Sequence, residues 1–395
     1  MNKEKKFKIA IFHDEFIQFG GAEKVVITLA KELKADIITS RVSNNLKEFI
    51  PKDINLILVN DFSKNPTRNL ERIFSSINFS NPYDFYIFSK FHTLFSASKH
   101  KPNLFYIHEM LYSKKVEVKR EYYDTNLFLT LYDKFLNFKK NNFDIKIDRR
   151  ISFLIKGFLY KLSRFSYISK SRYLFKDIDL IISNSKHTSN LLKEINQLDS
   201  IIIYPPINEG SFKFNKSGNY WVSVNNINAR KRIDLQIKTF INLPNEKLVI
   251  VGGFPDNPYY KKLKNMKPKN VEFVGSLNDK KIINYLSNSK GFITTCYDEA
   301  FGMSAVEAMA SGKPVIAPNE GGYKETIIDG ITGKLIDDIN PDKLAKAIQE
   351  MNNELKKNPL KYKNPCIKQA KKFDTKIFVE KMKEEINNVL KEYGP

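Results

Sequence analysis

Short apolar runs alternate with longer helical patterns along the chain, and this alternation restricts the fold more than any other feature. Seven runs rich in β-branched and aromatic residues precede residue 206: FKIAIF, ADIIT, INLILVN, DFYIF, LFYIH, DLIISNS and IIIYPP. Strands separated by helices form parallel βαβ units. The alternation then begins again with YWVSVN, KLVIVGG, VEFVGS, GFITTC, KPVIAPN and GKLID. The sequence therefore predicts an α/β fold with two successive Rossmann-like domains.

The segment YPPINEGSFKFNKSGN separates the two series. Pro205 and Pro206 end the last strand of the first series, and polar residues and glycines precede the next strand. We therefore predict one domain over residues 1–205 and a second over 206–373. A final helix is expected over 374–395, with Asp374 as its N-cap, and its apolar residues recur at helical spacing. One side of this helix must pack against a domain.

Composition limits the partners and the compartment. The 395 residues include 65 Lys and Arg against 44 Asp and Glu, a formal net charge of +21, which favours an anionic partner. Two cysteines are too few for a disulfide framework, and the opening MNKEKKFKIAIF has no signal-peptide pattern, so an intracellular, cytoplasmic protein is expected. No run approaches the roughly 18 to 20 apolar residues that span a bilayer, so any membrane contact should be peripheral.

Residues 114–176 concentrate the positive charge, with 16 Lys and Arg against 6 Asp and Glu. Within ISFLIKGFLYKLSRF, the apolar residues fall on one arc of a helix. Arg150, Lys156, Lys161 and Arg164 lie outside that arc or at its margin. This pattern is typical of a basic helix at an anionic membrane surface, such as the inner membrane face. A helix packed on the core with a solvated charged face explains the pattern equally well.

Two motifs carry possible chemistry. FGGAEKVV lies between the first strand and a helix, where Gly20 and Gly21 let the backbone approach a phosphate at the helix N-terminus, although an ordinary turn would look the same.

DEAFGMSAVEAMASGKPVIAPNEGG follows a strand and places Glu299 at the strand's carboxyl end and Glu307 on a helix. Ligands bind at this edge in open α/β sheets. Carboxylates there suit sugar hydroxyls, and the backbone N–H groups of Phe301, Gly302, Met303 and Ser304 suit hydroxyl or phosphate oxygens. Two surface glutamates would not explain the surrounding glycines.

These residues carry a family resemblance. EAFGMSAVE with ASGKPVIA and EGGYKETI resembles the donor-binding signature of the retaining glycosyltransferases of family 4, also called group 1, and GGAE, YIHE, DLIISNS, YPPIN and KRIDLQI follow that family's order. The resemblance covers about residues 10–390 and is strongest over 220–340. It implies the GT-B fold, in which two Rossmann-like domains face a central cleft and the last helix returns to the N-terminal domain. It also implies transfer of a hexose from a nucleotide diphosphate sugar, with retention and without a metal or other cofactor.

Carried over residue by residue, the resemblance implies a donor site in the second domain and an acceptor site in the first. Glu299, His108 and Lys231 would be catalytic: Glu299 would bind the transferred sugar, His108 would lie near that sugar, and Lys231 would neutralise the leaving diphosphate. Glu307 would bind the ribose. The diphosphate would lie beside Gly20 and Gly21.

The sequence departs from the family at two places. The usual Gly-Arg pair before the lysine is Asn225 and Asn226 here, so either Arg230 or Arg232 supplies the missing charge or the leaving group is less stabilised. Glu109 and Met110 replace the small residue and proline that follow the family's histidine, which changes the acceptor side.

Other sequence patterns indicate a function less strongly. Asp177 and Asp179 match a metal-binding DxD pair but precede a strand rather than end one, and the five histidines show no metal-ligand spacing. No nucleic-acid module is visible, although the charge of +21 keeps a nucleic-acid-binding protein as an alternative.

The expected function is hexose transfer from a GDP- or UDP-linked donor to a glycan or lipid-linked acceptor. A catalytically weak or silent GT-B protein that binds glycans or lipid surfaces is the other alternative.

Overall fold

The computed structural model describes residues 7–59, 66–110, 165–253 and 258–394. All thirteen predicted strands are present in two parallel sheets, which confirms the α/β prediction. The first sheet has the order β3-β2-β1-β4-β5-β6-β7. Its strands are β1 (Ile9–Phe16), β2 (Asp36–Val42), β3 (Leu56–Leu58), β4 (Phe85–Phe88), β5 (Asn103–Ile107), β6 (Leu180–Ser183) and β7 (Ile201–Ile202).

The second sheet has the order β10-β9-β8-β11-β12-β13. Its strands are β8 (Tyr220–Val224), β9 (Lys247–Val251), β10 (Val271–Gly275), β11 (Gly291–Ile293), β12 (Val315–Pro318) and β13 (Gly333–Ile336). All pairings within both sheets are parallel, for example Ile11 with Ile37 in the first sheet and Val222 with Val249 in the second. Pro205 and Pro206 lie between the two sheets and follow β7, the last strand of the first series.

Helices connect the strands. Those of the first half are α1 (Gly21–Leu33), α2 (Pro66–Ser76), residues 165–174 and α3 (Lys186–Asn196). Those of the second half are α4 (Ile233–Ile241), α5 (Pro258–Met266), α6 (Asp279–Ser287), α7 (Met303–Ala310), α8 (Tyr323–Thr326), α9 (Pro341–Lys357), α10 (Lys363–Ala370) and α11 (Thr375–Glu392). Short 3-10 turns cover Asn44–Phe49, Phe91–Lys99, Phe175–Asp177, Glu209–Ser211, Ala229–Lys231 and Lys371–Phe373.

The first sheet is covered on both faces, which explains why its strands are apolar runs without polar alternation. Ile11 of β1 packs in one core with α1, whereas the next residue, Phe12, packs in a second core with α2 and α3 on the other face. The second domain has a single large core around Trp221 and Phe292. Both domains are thus layered around a buried parallel sheet.

The last helix returns to the N-terminal domain, as the family resemblance implies. Asp374 caps α11 by accepting the N–H of Lys376 at 2.8 Å. Phe378 and Met382 are buried in the same core as Ile11, and the rings of Tyr106 and Phe378 lie 5.9 Å apart. A chain that crosses back in this way ties the two domains together beside their cleft.

The charged segment predicted over 114–176 lies largely outside the described residues, including Arg150, Lys156, Lys161 and Arg164. Its described end forms the helix 165–174, on which Phe165 and Tyr173 are exposed. In the described ranges, no helix combines the length and apolar character that a bilayer crossing requires.

Candidate active site

The turn between β1 and α1 brings the N-terminal domain against the C-terminal domain. Gly20 caps α1, and Glu23 turns back so that its Oε2 accepts the Gly20 N–H at 2.9 Å. A Cβ on Gly21 would lie 2.8 Å from the Met303 sulfur at the start of α7. Glycine here lets the domains approach this closely without displacing the Met303 side chain. A Cβ on Gly20 would lie 3.8 Å from Asn226 Nδ2, so Asn226 also borders this turn.

Glu299 lies at the centre of a charged cluster in the C-terminal domain. Lys231 Nζ lies 2.7 Å from its Oε2, and an Arg230 guanidinium nitrogen lies 3.8 Å from its Oε1. Burial alone would raise the pKa of Glu299, but the charges of Lys231 and Arg230 lower it to about 2. The carboxylate is therefore ionised at neutral pH and paired with fixed positive charge.

Local backbone geometry holds this cluster. Glu299 does not lie at the end of β11, as the sequence suggested, because that strand ends at Ile293 and a loop carries the chain onward. Asp298 turns the loop with a φ of 49°. The Gly322 N–H donates to the Glu299 carbonyl at 2.7 Å, and a Cβ on Gly321 would lie 2.4 Å from that oxygen. The EGG motif therefore fixes the Glu299 backbone by close approach.

The two arginines beside Lys231 have different surroundings. Arg230 lies at the cleft, where it pairs with Glu109 of the N-terminal domain at 2.7 Å. Arg232 is buried, its Nε donates to the Thr295 carbonyl, and its guanidinium pairs with Glu320. The expectation that Arg232 supplies positive charge to a diphosphate therefore does not fit this structure. Of the two, Arg230 is the arginine that the fold places at the domain interface.

Glu307 lies on α7 and pairs with Lys24 of α1 at 2.7 Å, across the domain interface. Lys24 also lies 3.3 Å from Asp279 of α6. Although burial disfavours the ammonium, the carboxylates of Glu307 and Asp279 raise the pKa of Lys24 above its usual range. Sequence analysis missed Lys24, although it directly follows the GGAE motif. The carboxylate predicted to bind ribose therefore has a lysine partner in the closed structure.

The start of α7 offers free backbone donors. Gly302 caps the helix with a φ of 91°, and Phe301 is buried against Tyr204 and Phe373. The backbone N–H groups of Phe301 to Ser304 find no acceptor within the described residues. Donors of this kind at a helix N-terminus bind anions. This arrangement agrees with the predicted role of these four residues, which stays a prediction.

His108 directly follows β5 and belongs to a hydrogen-bonded chain. Its Nε2 lies 2.8 Å from the Ser89 hydroxyl, and Ser89 lies 3.1 Å from His13 Nδ1. Burial, together with the nearby charge of Lys90, lowers the pKa of His108 well below its usual range. The ring is therefore neutral at pH 7 and can exchange hydrogen bonds with a hydroxyl without carrying charge.

A second set of interdomain contacts lies at the start of α3. Glu325 of the C-terminal domain accepts the backbone N–H groups of Lys186 and His187, each at 2.8 Å. His187 Nε2 lies 2.9 Å from Asp298 Oδ1. A recess of about 230 Å³, including open solvent, lies between the domains here and is lined by Glu109, Met110, His187, Thr188, Leu191, Arg230, Asp298 and Ala300.

Asp179, from the DxD pair of the sequence analysis, and Ser185 both have structural roles. Asp179 accepts the backbone N–H of Asn103 at 2.8 Å and pairs with Lys101. Ser185 caps α3 by accepting the Thr188 N–H at 3.0 Å. These contacts account for both residues within the N-terminal domain.

Comparisons with known proteins show what part of the chain is similar to. Residues 206–373 match the model of glycosyl transferases group 1. An uncharacterized glycosyltransferase of Methanocaldococcus jannaschii is 33% identical over 199 residues, which cover 48% of this chain and 55% of the relative. The GDP-Man:Man(3)GlcNAc(2)-PP-Dol alpha-1,2-mannosyltransferase of Mus musculus is 29% identical over 205 residues, 42% of each chain. The chain thus spans about half the length of the curated relatives it matches.

The whole fold matches solved structures as well. Anabaena HepE, in complex with UDP and glucose, superposes with a TM-score of 0.74 at 16% identity, over 97% of this chain and 100% of that one. At this identity the likeness establishes the fold alone. The assignment to the retaining glycosyltransferases of family 4 stays a prediction. Residues 206–373 are thus similar to the glycosyl transferases group 1, and the two facing domains of the chain have the GT-B fold.

Proposed function

We propose that the protein transfers a hexose from a GDP- or UDP-linked donor to a glycan or lipid-linked acceptor, with retention of anomeric configuration and without a metal. The observation that carries this proposal is the Glu299 cluster, where an ionised carboxylate and two cations lie together at the domain interface. Such a cluster offers acceptors to sugar hydroxyls and positive charge to a departing diphosphate. The names of the relatives support the class, since one includes a GDP-linked mannose donor and a PP-Dol acceptor.

The donor would lie between the two domains. In this proposal Glu299 binds the transferred sugar and Glu307 binds the ribose, after Lys24 releases it. Lys231 and Arg230 face the diphosphate, where negative charge develops as the sugar departs. The start of α7 and the turn at Gly20 and Gly21 supply backbone N–H groups to the same phosphates, except for the Gly20 N–H, which Glu23 accepts.

Retention is proposed to proceed by front-face displacement. Glu299 is a poor candidate for a covalent nucleophile because its carboxylate is held by Lys231 at 2.7 Å and its pKa is lowered to about 2, with the charges of Lys231 and Arg230 overcoming the effect of burial. The acceptor oxygen would bond to the anomeric carbon as the bond to the diphosphate oxygen breaks. That phosphate oxygen would take the acceptor proton, so no protein base is required.

The acceptor would bind against the N-terminal domain, near Glu109 and His108. Glu109 pairs with Arg230 across the cleft, and Arg230 lowers the pKa of Glu109, so this carboxylate is ionised as well. The cytoplasmic location, the peripheral position on the inner membrane face and the anionic membrane as partner of residues 114–176 remain part of the proposal. No nucleic-acid partner is proposed.

Turnover of candidate donors tests the proposal. Purified protein is incubated with GDP- and UDP-linked hexoses, with and without glycan acceptors, and release of nucleoside diphosphate is measured. We expect release from at least one donor, unchanged by EDTA. Glu299→Gln should lower turnover by at least about tenfold, or 1.4 kcal/mol, whereas Glu307→Ala should act mainly on donor KM. Glu272→Gln, a matched change at an exposed ion pair with Lys247, should leave both parameters unchanged.

A silent binding protein on the same scaffold is the second candidate. Asn226 favours it, because an amide replaces the family's second phosphate-binding arginine and supplies no charge. Binding of a nucleotide sugar without release of nucleoside diphosphate from any donor, under all acceptor conditions, would support this candidate. Near wild-type turnover in Glu299→Gln would contradict the site assignment instead.

A further inference from the structure

We propose that Glu23 sets the tautomer of His108 through His13 and Ser89, so that His108 presents an unprotonated Nδ1 to a substrate hydroxyl. Glu23, His13 and Ser89 would then be positioning residues for the transfer reaction. The identity of the hydroxyl as one on a donor sugar or acceptor rests on the proposed function. The tautomer itself does not depend on that function.

Four short contacts join these residues into one chain. Gly20 N–H donates to Glu23 Oε2 at 2.9 Å, and Glu23 Oε1 lies 3.3 Å from His13 Nε2. His13 Nδ1 lies 3.1 Å from Ser89 Oγ, which lies 2.8 Å from His108 Nε2. Both His13 and Ser89 are buried, so water does not compete for these bonds.

The Glu23 carboxylate determines which group donates and which accepts in each hydrogen bond from Glu23 to His108. Burial would raise the pKa of Glu23, but its hydrogen bond with His13 and the charge of Lys90, 3.9 Å away, lower it to about 2. An ionised carboxylate only accepts hydrogen bonds, so His13 Nε2 must carry a proton and donate it. A neutral His13 ring is part of this proposal, and its Nδ1 then has a lone pair and accepts from the Ser89 hydroxyl.

The Ser89 hydroxyl then determines which nitrogen of His108 carries the proton. Its hydroxyl has one proton, which is donated to His13, so its oxygen can only accept from His108 Nε2. His108 is a neutral ring with one proton in total. That proton is therefore on Nε2, and Nδ1 is left as an acceptor.

His108 Nδ1 is available to a ligand. The His108 side chain is partly exposed, and within the described residues its Nδ1 has no hydrogen-bond partner. The next residue, Glu109, pairs with Arg230 across the cleft. An acceptor nitrogen beside the cleft orients a hydroxyl by accepting its proton, whereas the other tautomer would orient the hydroxyl the opposite way.

One carboxylate thus serves both ends of the site. Glu23 fixes the Gly20 N–H in the turn proposed for the diphosphate, and it orders the chain that ends at the histidine proposed for the sugar. A change at Glu23 should therefore affect both, whereas a change at Ser89 should affect only the histidine.

Nitrogen chemical shifts of the histidine rings test the inference in the unliganded, ¹⁵N-labelled full chain. Loss of a signal set in His108→Gln assigns His108. We expect the Nε2–H tautomer in the wild type. Glu23→Gln keeps an oxygen for Gly20 N–H but presents an NH₂ group to His13, so each bond in the chain should reverse and His108 should become the Nδ1–H tautomer. Glu32→Gln, an exposed change on the same helix, should leave the tautomer unchanged.

Ser89→Ala separates positioning from a merely structural effect. It removes the donor to His13 and the acceptor for His108 but leaves the Glu23 contacts with Gly20 and His13 in place. We expect His108 to lose its single tautomer while His13 keeps Nε2–H. With donors, Ser89→Ala should weaken binding of a nucleotide sugar by up to about tenfold and leave the affinity for the nucleoside diphosphate unchanged.

The outcomes distinguish this inference from the proposed function. An Nδ1–H tautomer for wild-type His108, or a tautomer that Glu23→Gln does not alter, would overturn the inference whatever the protein binds. Equal loss of sugar nucleotide and nucleoside diphosphate affinity in Ser89→Ala would also overturn it. Absence of nucleotide binding in the wild type would instead overturn the proposed function, while the tautomer result would stand.

Discussion

Under the proposed function, donor binding competes with the salt bridge between Lys24 and Glu307 for the Glu307 carboxylate. Lys24 Nζ lies 2.7 Å from Glu307 Oε1, and the side chains are 26% and 8% exposed. In Lys24→Met the Glu307 carboxylate loses its partner but keeps its burial. Breaking a buried pair costs about 3–5 kcal/mol and an exposed pair about 0.2–1 kcal/mol. At this exposure we expect about 1–2 kcal/mol lower stability of the unliganded protein.

A ribose hydroxyl pair would return hydrogen-bond donors to Glu307. Donor affinity should therefore rise in Lys24→Met by at most the same energy, about five- to thirtyfold. Urea unfolding of the unliganded protein measures the loss in stability, and isothermal titration with a nucleotide sugar measures the gain in affinity. Asp279→Asn is the matched control, since it removes the weaker contact at 3.3 Å and leaves the contact with Glu307 in place.

The result that would refute this reasoning is weaker donor binding in Lys24→Met. That outcome would make Lys24 a ligand of the donor rather than its competitor. Unchanged stability together with unchanged affinity would show that the pair contributes nothing in solution.

Three further predictions concern charge. Lys231→Ala should raise the activation free energy of the chemical step by about 2.7–4 kcal/mol, and Asn226→Arg should leave the rate unchanged or increase it. Steady-state and single-turnover kinetics measure both effects. An unchanged rate in Lys231→Ala would place the diphosphate elsewhere. The folded pKa of Glu23, about 2, lies below the ordinary 4.5, because the hydrogen bond with His13 and the charge of Lys90 overcome the effect of burial. Between these values the unfolded chain binds more protons, so urea unfolding should show stability falling from pH 4.5 towards 2, less steeply in Glu23→Gln. Sedimentation with vesicles should show salt-sensitive binding to anionic but not neutral lipid, with roughly 1 kcal/mol per engaged basic residue, and equal recovery in the supernatant with both would exclude it. Binding should be lost on combined substitution by Ser of Arg150, Lys156, Lys161 and Arg164.

The fold was predictable from sequence because its determinants are local. Each buried strand is a short run of β-branched and aromatic residues, and each is followed by turn residues or a helix, so all thirteen strands could be identified without knowing their neighbours. The cap Asp374 and the apolar spacing after it likewise predicted the last helix.

The pairing within the site was less predictable because it depends on contacts distant in sequence. Lys24 and Glu307 are 283 residues apart in sequence, and nothing in GGAEK indicates that its lysine reaches α7. Arg230 and Arg232 look equivalent in NARKRID, but Arg232 has a φ of 49°, and its guanidinium is directed to Glu320. The two arginines differ in their surroundings because of this backbone turn, which the sequence does not show. The buried contact of His13 with Glu23 also requires knowledge of how β1 and α1 pack.

Binding of nucleotide sugars is the measurement that tests the account most directly. Thermal and urea unfolding are followed with GDP- and UDP-linked hexoses in the wild type and in Glu307→Ala. The account predicts that one donor stabilises the wild type, by about 2.7 kcal/mol at 100 times its dissociation constant, and that Glu307→Ala needs a higher concentration for the same effect. No stabilisation by any donor at millimolar concentration, or equal stabilisation of both proteins at every concentration, would contradict it.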